Sequence, residues 1–189
     1  MAKQAKTLNE REQQKLLEFI SKTKNPKRNR AIFLLTYLAG MRIGEVAALR
    51  VADVLASDGT IRNQFTLSPE QTKGSESRTV LLNQRMQAEL AAYMQTIRVR
   101  NAKQPLFATQ RNEGFTAASL AQIVNGIYKK AGFEGCSSHS GRRSYATTIS
   151  AKGISMRVLQ KLLGHKNIQT TSIYIYASDD MLRNAVELI

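Results

Sequence analysis

Apolar residues recur at helical spacing along most of this 189-residue chain and at alternating spacing in one short region. Leu8, Leu16, Leu17, Phe19 and Ile20 predict a first amphipathic helix, opened by a capping pair of Thr7 and Glu10 and closed before Lys24-Asn25-Pro26. A second helix is expected from near Asn29 to Leu38, broken by Gly40, and a third over about Ile43 to Leu49. Residues 60–67 (TIRNQFTL) and 78–82 (RTVLL) are rich in β-branched side chains and flank the polar turn PEQTKGSES, the pattern of an antiparallel hairpin. Helical periodicity returns over 84–98, 117–131, 140–152, 155–163 and around 168–174, with a short amphipathic tail at 180–188. The predicted class is therefore mainly α with a small antiparallel β-sheet. No repeat and no Gly/Ser/Pro-rich linker divides the chain, so 1–189 reads as a single domain.

Charge adds a partner to this picture. Lys and Arg number 28 against 14 Asp and Glu, a formal net charge of +14, which points to a polyanion. The excess is spread along the chain, and its densest run is Lys22-Thr23-Lys24-Asn25-Pro26-Lys27-Arg28-Asn29-Arg30. That run reads equally as a phosphate contact and as a solvated loop before a helix. A membrane surface fits less well, because the flanking helices lack a wide apolar face with aromatic anchors. The longest apolar stretch, Ala31–Met41, covers only about half the ~20 residues that a bilayer-spanning helix needs. No apolar segment follows the charged N-terminus, so no secretory signal is expected, and the 1 cysteine, Cys136, makes no internal disulfide. A cytoplasmic protein fits both observations.

Both histidines lie in clusters with chemical potential: His139-Ser140-Gly141-Arg142-Arg143 and Leu163-Gly164-His165. His139 and Arg142 are spaced to share a face at an expected helix N-terminus, beside open backbone N–H groups, which suits an anion. The plainer alternative is a histidine capping its own helix. Arg42 ends the most apolar segment, where a guanidinium needs an oxyanion; Glu45, one turn on, fits that need as well as a bound phosphate does. Lys73 lies in the exposed hairpin turn, where most lysines serve solubility. Tyr174, between Ile173 and Ile175, reads on its own as packing rather than as a nucleophile. A metal-dependent nuclease would need converging carboxylates, whereas Asp179 and Asp180 are adjacent and point apart, and Asp53 and Asp58 read as turn residues. Cys136 has no partner at metal-ligand spacing and no Walker-type loop occurs, so no metal or other cofactor is implied.

Taken together, LAGMRIGE at 38–45, the lysine hairpin, HSGRR at 139–143 and LLGHKNIQTTSIYI at 162–175 resemble, in order and spacing, the catalytic domain of the tyrosine recombinase (phage integrase) family. The resemblance covers about Thr7 to Tyr176. It implies that family's fold and its catalytic set, here Arg42, Lys73, His139, Arg142, His165 and Tyr174, with Glu45 as the acidic residue after the first arginine. Tyr174 stands at the family's spacing from His165, and Tyr176 is the less fitting nucleophile. The implied activity is site-specific recombination, as in mobile genetic elements, through a covalent 3′-phosphotyrosine. The implied partners are double-stranded DNA with specific recombination sites, further copies in a homo-tetramer, and accessory DNA-bending proteins as candidates. Two arginines suit this chemistry as bidentate clamps on a phosphate whose charge grows in the transition state. The histidines supply proton donors or a base, and by resemblance Lys73 protonates the leaving 5′-oxygen. A covalent intermediate retains the bond energy, so no ATP is needed.

Two departures stand out. Arg143 occupies a position where the family often has histidine, a change expected to leave the chemistry untouched. The family's usual N-terminal helical DNA-binding domain has no counterpart, as in short invertase-like members or in a truncated chain. The tail 179–189 carries Met181, Leu182, Val186, Leu188 and Ile189 and is expected to dock on a neighbouring subunit. Two other readings remain beside the recombinase: a type IB topoisomerase that relaxes supercoils as a monomer, and a non-catalytic DNA-binding regulator on the same fold.

Overall fold

The computed structural model describes residues 4–72, 76–111, 113–174, 183 and 186–187. Helix α1 (Glu10–Ser21) is capped by Asn9, whose side chain accepts from the Glu12 N–H while the Glu12 carboxylate accepts from the Asn9 N–H. The box thus sits two residues beyond the expected Thr7–Glu10 pair. Asparagine caps as well as threonine does, and the later start leaves Leu8 buried ahead of the helix, its N–H donated to Ser144 Oγ. Helix α2 (Pro26–Leu38) starts earlier than the expected Asn29, because proline at the first helical position brings a helical φ and no N–H to satisfy. Residues Ala31 to Tyr37 are all buried, since α1 and two later helices, α5 (Gln84–Met94) and α7 (Ser140–Ala151), pack around α2.

The chain leaves α2 through Gly40 and enters α3 (Ile43–Ala47) and the one-turn α4 (Val51–Val54). The sequence pattern does not anticipate α4; Asp53 lies inside it rather than in a turn, and its carboxylate accepts from the Arg50 N–H at 2.8 Å. Strands β1 (Gln64–Leu67) and β2 (Arg78–Leu81) form the expected antiparallel hairpin, with Gln64 opposite Leu81 and Leu67 opposite Arg78. Its first strand begins at Gln64 rather than Thr60; upstream, Ile61 pairs instead with Leu55 in an isolated bridge. Lys73, in the hairpin turn, lies outside the described residues. Helices α6 (Ala117–Lys130), α8 (Met156–Leu163) and α9 (Gln169–Ser172) complete the described elements, each within about four residues of its expected bounds. Of the tail expected at 179–189, only Arg183, Val186 and Glu187 are described, and all three are exposed. Among the described residues no helix is long and apolar enough to cross a membrane.

Two apolar clusters result. The larger takes Leu16 and Ile20 from α1, Ile32, Leu34 and Leu35 from α2, Met86 and Leu90 from α5, and Phe65 and Val80 from the hairpin. The smaller holds the buried Ala146, Leu159 and Leu163, with Tyr145, Ile149 and Tyr174 packed against it. They meet at Gly40, where φ is +61° and a Cβ would stand 2.6 Å from the Tyr145 ring. Gly164 ends α8 in the same left-handed conformation, and a Cβ there would run into the Cδ of Arg78, which crosses it. Both motif glycines are thus demanded twice, by backbone conformation and by close approach. Gly164→Ala is expected to lower the unfolding free energy in urea by about 2–3 kcal/mol, whereas Gly153→Ala, also left-handed but with open space around it, loses about 1 kcal/mol. Equal losses would show that Arg78 simply moves aside.

Candidate active site

The site is built around one buried carboxylate. Glu45, in the first turn of α3, is 1% exposed in its side chain. Its Oε1 accepts from Arg42 Nη1 at 2.9 Å and Arg78 Nε at 3.1 Å; its Oε2 accepts from Arg78 Nη2 at 2.7 Å and the Arg42 N–H at 2.8 Å. Burial alone would push its pKa up, but the Arg78 pair, the Arg42 N–H and the nearby Arg142 charge outweigh it and hold Glu45 below the usual carboxylate range. The Arg42–Glu45 pair that the sequence suggested is therefore present, and it is shared. Arg78, absent from the sequence-based set, also donates Nη1 to the Leu162 carbonyl at 3.0 Å and so ties β2 to the end of α8. Arg42 keeps 30% of its side chain exposed, against 8% for Arg78.

Arg142, in the first turn of α7, is buried and spends its donors on main chain. Nη1 donates to the Gly40 carbonyl, and Nη2 to the Leu163 carbonyl at 2.7 Å and to His165 Nε2 at 3.0 Å. Burial, with repulsion from Arg42 and Arg78 against the pull of Glu45, draws its pKa down to about 9, which leaves it charged at neutral pH. A guanidinium only donates, so His165 Nε2 must accept and its proton must sit on Nδ1. That N–H donates to the buried Thr171 Oγ1 at 2.9 Å. Burial, then the charges of Arg142, Arg42 and Arg78, pull the His165 pKa down to about 4, so the ring is neutral. The loop behind it is held by Gln160 Nε2, which donates to the His165 carbonyl at 2.9 Å and the Lys166 carbonyl at 3.2 Å.

These groups open onto a cavity of about 460 Å³ lined by Arg42, His139, Arg142, Arg143, His165 and Tyr174, together with Ser137 and Thr170. Five of the six residues singled out in the sequence therefore share one cavity, and the sixth, Lys73, lies outside the described residues. His139 stands at the N-cap position of α7 but its side chain caps nothing, and it is exposed. The Tyr174 ring stacks on His165 with centroids 6.2 Å apart and planes 20° from parallel. Arg143 also lines the cavity, with its Cζ 6.0 Å from the Tyr174 ring centroid. A second cavity of about 590 Å³ shares Arg42, His165 and Thr170 and is bordered by Thr72 and Glu76, on either side of the turn that carries Lys73. Lys24, Lys27 and Arg28 line a separate cavity at the other end of α2, about 20 Å away by helical rise, so that basic run contributes nothing here. Among the described residues no group of three or more His, Cys, Asp or Glu is arranged to hold a metal ion.

Comparison with known proteins agrees with this fold. Residues 6–181 match the family model described as the phage integrase family. The chain belongs to that family. Among phage integrase family relatives, it is 33% identical over 186 residues to the tyrosine recombinase XerA of Pyrococcus furiosus, covering 96% of this chain and 61% of that protein. Among solved structures, it is similar to the XerA recombinase crystal structure, with a TM-score of 0.76, 26% identity, and coverage of 97% of this chain and 64% of that one. It is also similar to XerH site-specific recombinase bound to its palindromic difH substrate in a post-cleavage complex, with a TM-score of 0.71, 27% identity, and coverage of 95% and 51%. The chain thus spans roughly half to three fifths of these family members.

The neutral His165 makes stability depend on pH in a definite direction. Its folded pKa of about 4 lies below the unfolded value near 6.5, so on acidification the unfolded chain takes up the proton first. Stability should be fully retained above pH 6.5 and fall by about 1–3 kcal/mol as pH drops towards 4. In urea titrations across that window, His165→Gln should remove most of the slope; an unchanged slope would show that His165 is already protonated in the fold.

Proposed function

We propose that residues 1–189 act as the catalytic domain of a site-specific DNA recombinase, breaking and rejoining strands through a covalent 3′-phosphotyrosine on Tyr174. The observation that carries this reading is the convergence of Arg42, His139, Arg142, His165 and Tyr174 on one cavity. Charge supports it further. Arg42, Arg78 and Arg142 face the single carboxylate of Glu45, and His165 is neutral, so these groups carry a positive excess of two. A phosphodiester brings one negative charge and its pentacovalent transition state nearly two, so the excess favours the transition state over the ground state.

In the forward step the Tyr174 oxygen forms a bond to phosphorus, the P–O5′ bond breaks, the phenol gives up its proton and the 5′-oxygen gains one. His165 is a poor acceptor for the phenol proton, because its Nε2 lone pair already receives the Arg142 hydrogen bond. His139, exposed at the cavity and without a side-chain hydrogen bond among the described residues, takes it instead. Lys73 supplies the proton to the 5′-oxygen. In the return step a 5′-hydroxyl of another strand attacks the phosphotyrosine and frees Tyr174, conserving the bond energy. Strand exchange between two DNA sites brings copies together as a homo-tetramer on the DNA, with the 179–189 tail docked on a neighbour. The setting proposed for this work is the cytoplasm.

Incubating the protein with a pool of nicked duplexes of randomised sequence, in excess EDTA and without ATP, should yield a covalent protein–DNA adduct that peptide mapping assigns to Tyr174. Tyr174→Phe should abolish it and Tyr176→Phe should not; strict dependence on magnesium would overturn the mechanism, and relaxation of supercoils by the monomer would favour the topoisomerase reading. Arg42→Ala should slow adduct formation by at least about 100-fold, or about 3 kcal/mol, while helical circular dichroism is preserved. A variant that unfolds yet keeps its residual chemistry would make Arg42 only a partner of Glu45.

A further inference from the structure

We infer that Arg143 is a positioning residue for the nucleophile: its guanidinium lies against the Tyr174 ring and favours the phenoxide that develops during attack. This rests on Tyr174 being the nucleophile, and it goes beyond the catalytic set implied by family membership.

The argument starts from helix geometry. Consecutive residues on a helix project about 100° apart, so Arg142 and Arg143 at the start of α7 serve different targets. Arg142 turns to the carbonyls of Gly40 and Leu163, whereas the Arg143 Cζ comes within 6.0 Å of the Tyr174 ring centroid, the outer reach of a cation–π contact. Both still line the same cavity. Among the described residues Arg143 forms no ion pair, and its Nε is buried without an acceptor. Arg42 and Arg78, by contrast, are engaged by Glu45.

The other ring against Tyr174 is the imidazole of His165, which is committed to accepting from Arg142 and carries no charge. Arg142 also lies near enough to act on Tyr174, but the cation placed against the ring itself is Arg143. As the phenol loses its proton, negative charge develops on its oxygen and spreads into the ring, and a cation against that ring gains attraction until bonding to phosphorus draws the charge away. A contact of this kind strengthens between ground state and transition state, so it acts on the rate of attack and leaves DNA affinity nearly unchanged.

The test is single-turnover adduct formation on a nicked duplex at saturating concentration. Arg143→Met should slow the adduct about 10-fold with DNA affinity changed by less than about 3-fold, and Arg143→Lys should recover most of the loss. Repeating it with a duplex whose scissile bond carries a 5′-bridging sulfur separates attack from departure, because a thiolate leaves without a proton. The Arg143→Met defect should persist on that duplex, whereas a Lys73→Ala defect should shrink. An Arg143→Met rate equal to wild type overturns the inference, as does a defect erased by the sulfur substrate or a loss confined to affinity. If Arg143→Met fails to fold, Arg143→Gln, which keeps a polar side chain of similar reach, is read by the same criteria. Adducts persisting in Tyr174→Phe would instead overturn the choice of nucleophile, a result independent of every Arg143 variant.

Discussion

The sharing of one buried carboxylate between two guanidiniums is the constraint on which the rest of the site depends. A lone ionised Glu45 would be prohibitively costly to bury, and so would Arg78; paired, each satisfies the other, and Arg42 is drawn into the same bond network. The geometry then fixes three pieces of chain at once. Arg42 holds the segment after α2, Arg78 holds β2, and the remaining Arg78 donor reaches the end of α8. Arg142 repeats the device without a carboxylate, joining the Gly40 turn to the end of α8 through two carbonyls. Carbonyl oxygens satisfy hydrogen bonds but do not cancel charge. The frame is therefore complete as structure and incomplete as electrostatics, which is the condition an anion-binding site requires.

The same crowding decides what the histidines can do. His165 is hemmed in by Arg142 on one nitrogen and Thr171 on the other, in a place already rich in positive charge, so a further proton is disfavoured and the ring is neutral at neutral pH. It orients and hydrogen-bonds. His139 stands exposed at the rim of the cavity. Two residues of the same type, both singled out in the sequence, thus differ in environment, one buried among cations and the other exposed.

Much of this was legible in the chain itself. The order of helices and the hairpin followed from periodicity, and the Leu-Gly-His and His-x-x-Arg motifs, with Arg42 after Gly40-Met41 and Tyr174 at its spacing from His165, led to five residues that share a cavity. The misses have physical reasons. Arg78 and Glu45 lie far apart in sequence, and nothing local to a strand residue announces a distant carboxylate. Thr171 matters through the tautomer of His165, a property that only a three-dimensional hydrogen-bond pattern defines. Asn9 displaced Thr7 as the cap because two overlapping cap patterns, Thr7 with Glu10 and Asn9 with Glu12, compete and only packing of Leu8 chooses between them. Arg143 shows in the sequence only as a departure from the family's usual histidine, and its place beside Arg142 in the cavity depends on that cavity lying at the start of α7.

The small apolar cluster of Ala146, Leu159 and Leu163 has a consequence of its own. Tyr174 packs against this cluster and not against the large one, so its anchorage runs through α7 and α8. Three buried side chains contribute only a small part of the apolar burial in the fold, so the bonds of Arg78 and Arg142 to the Leu162 and Leu163 carbonyls carry much of the attachment of α8. The guanidiniums that charge the cavity thus also brace the floor on which the tyrosine ring rests.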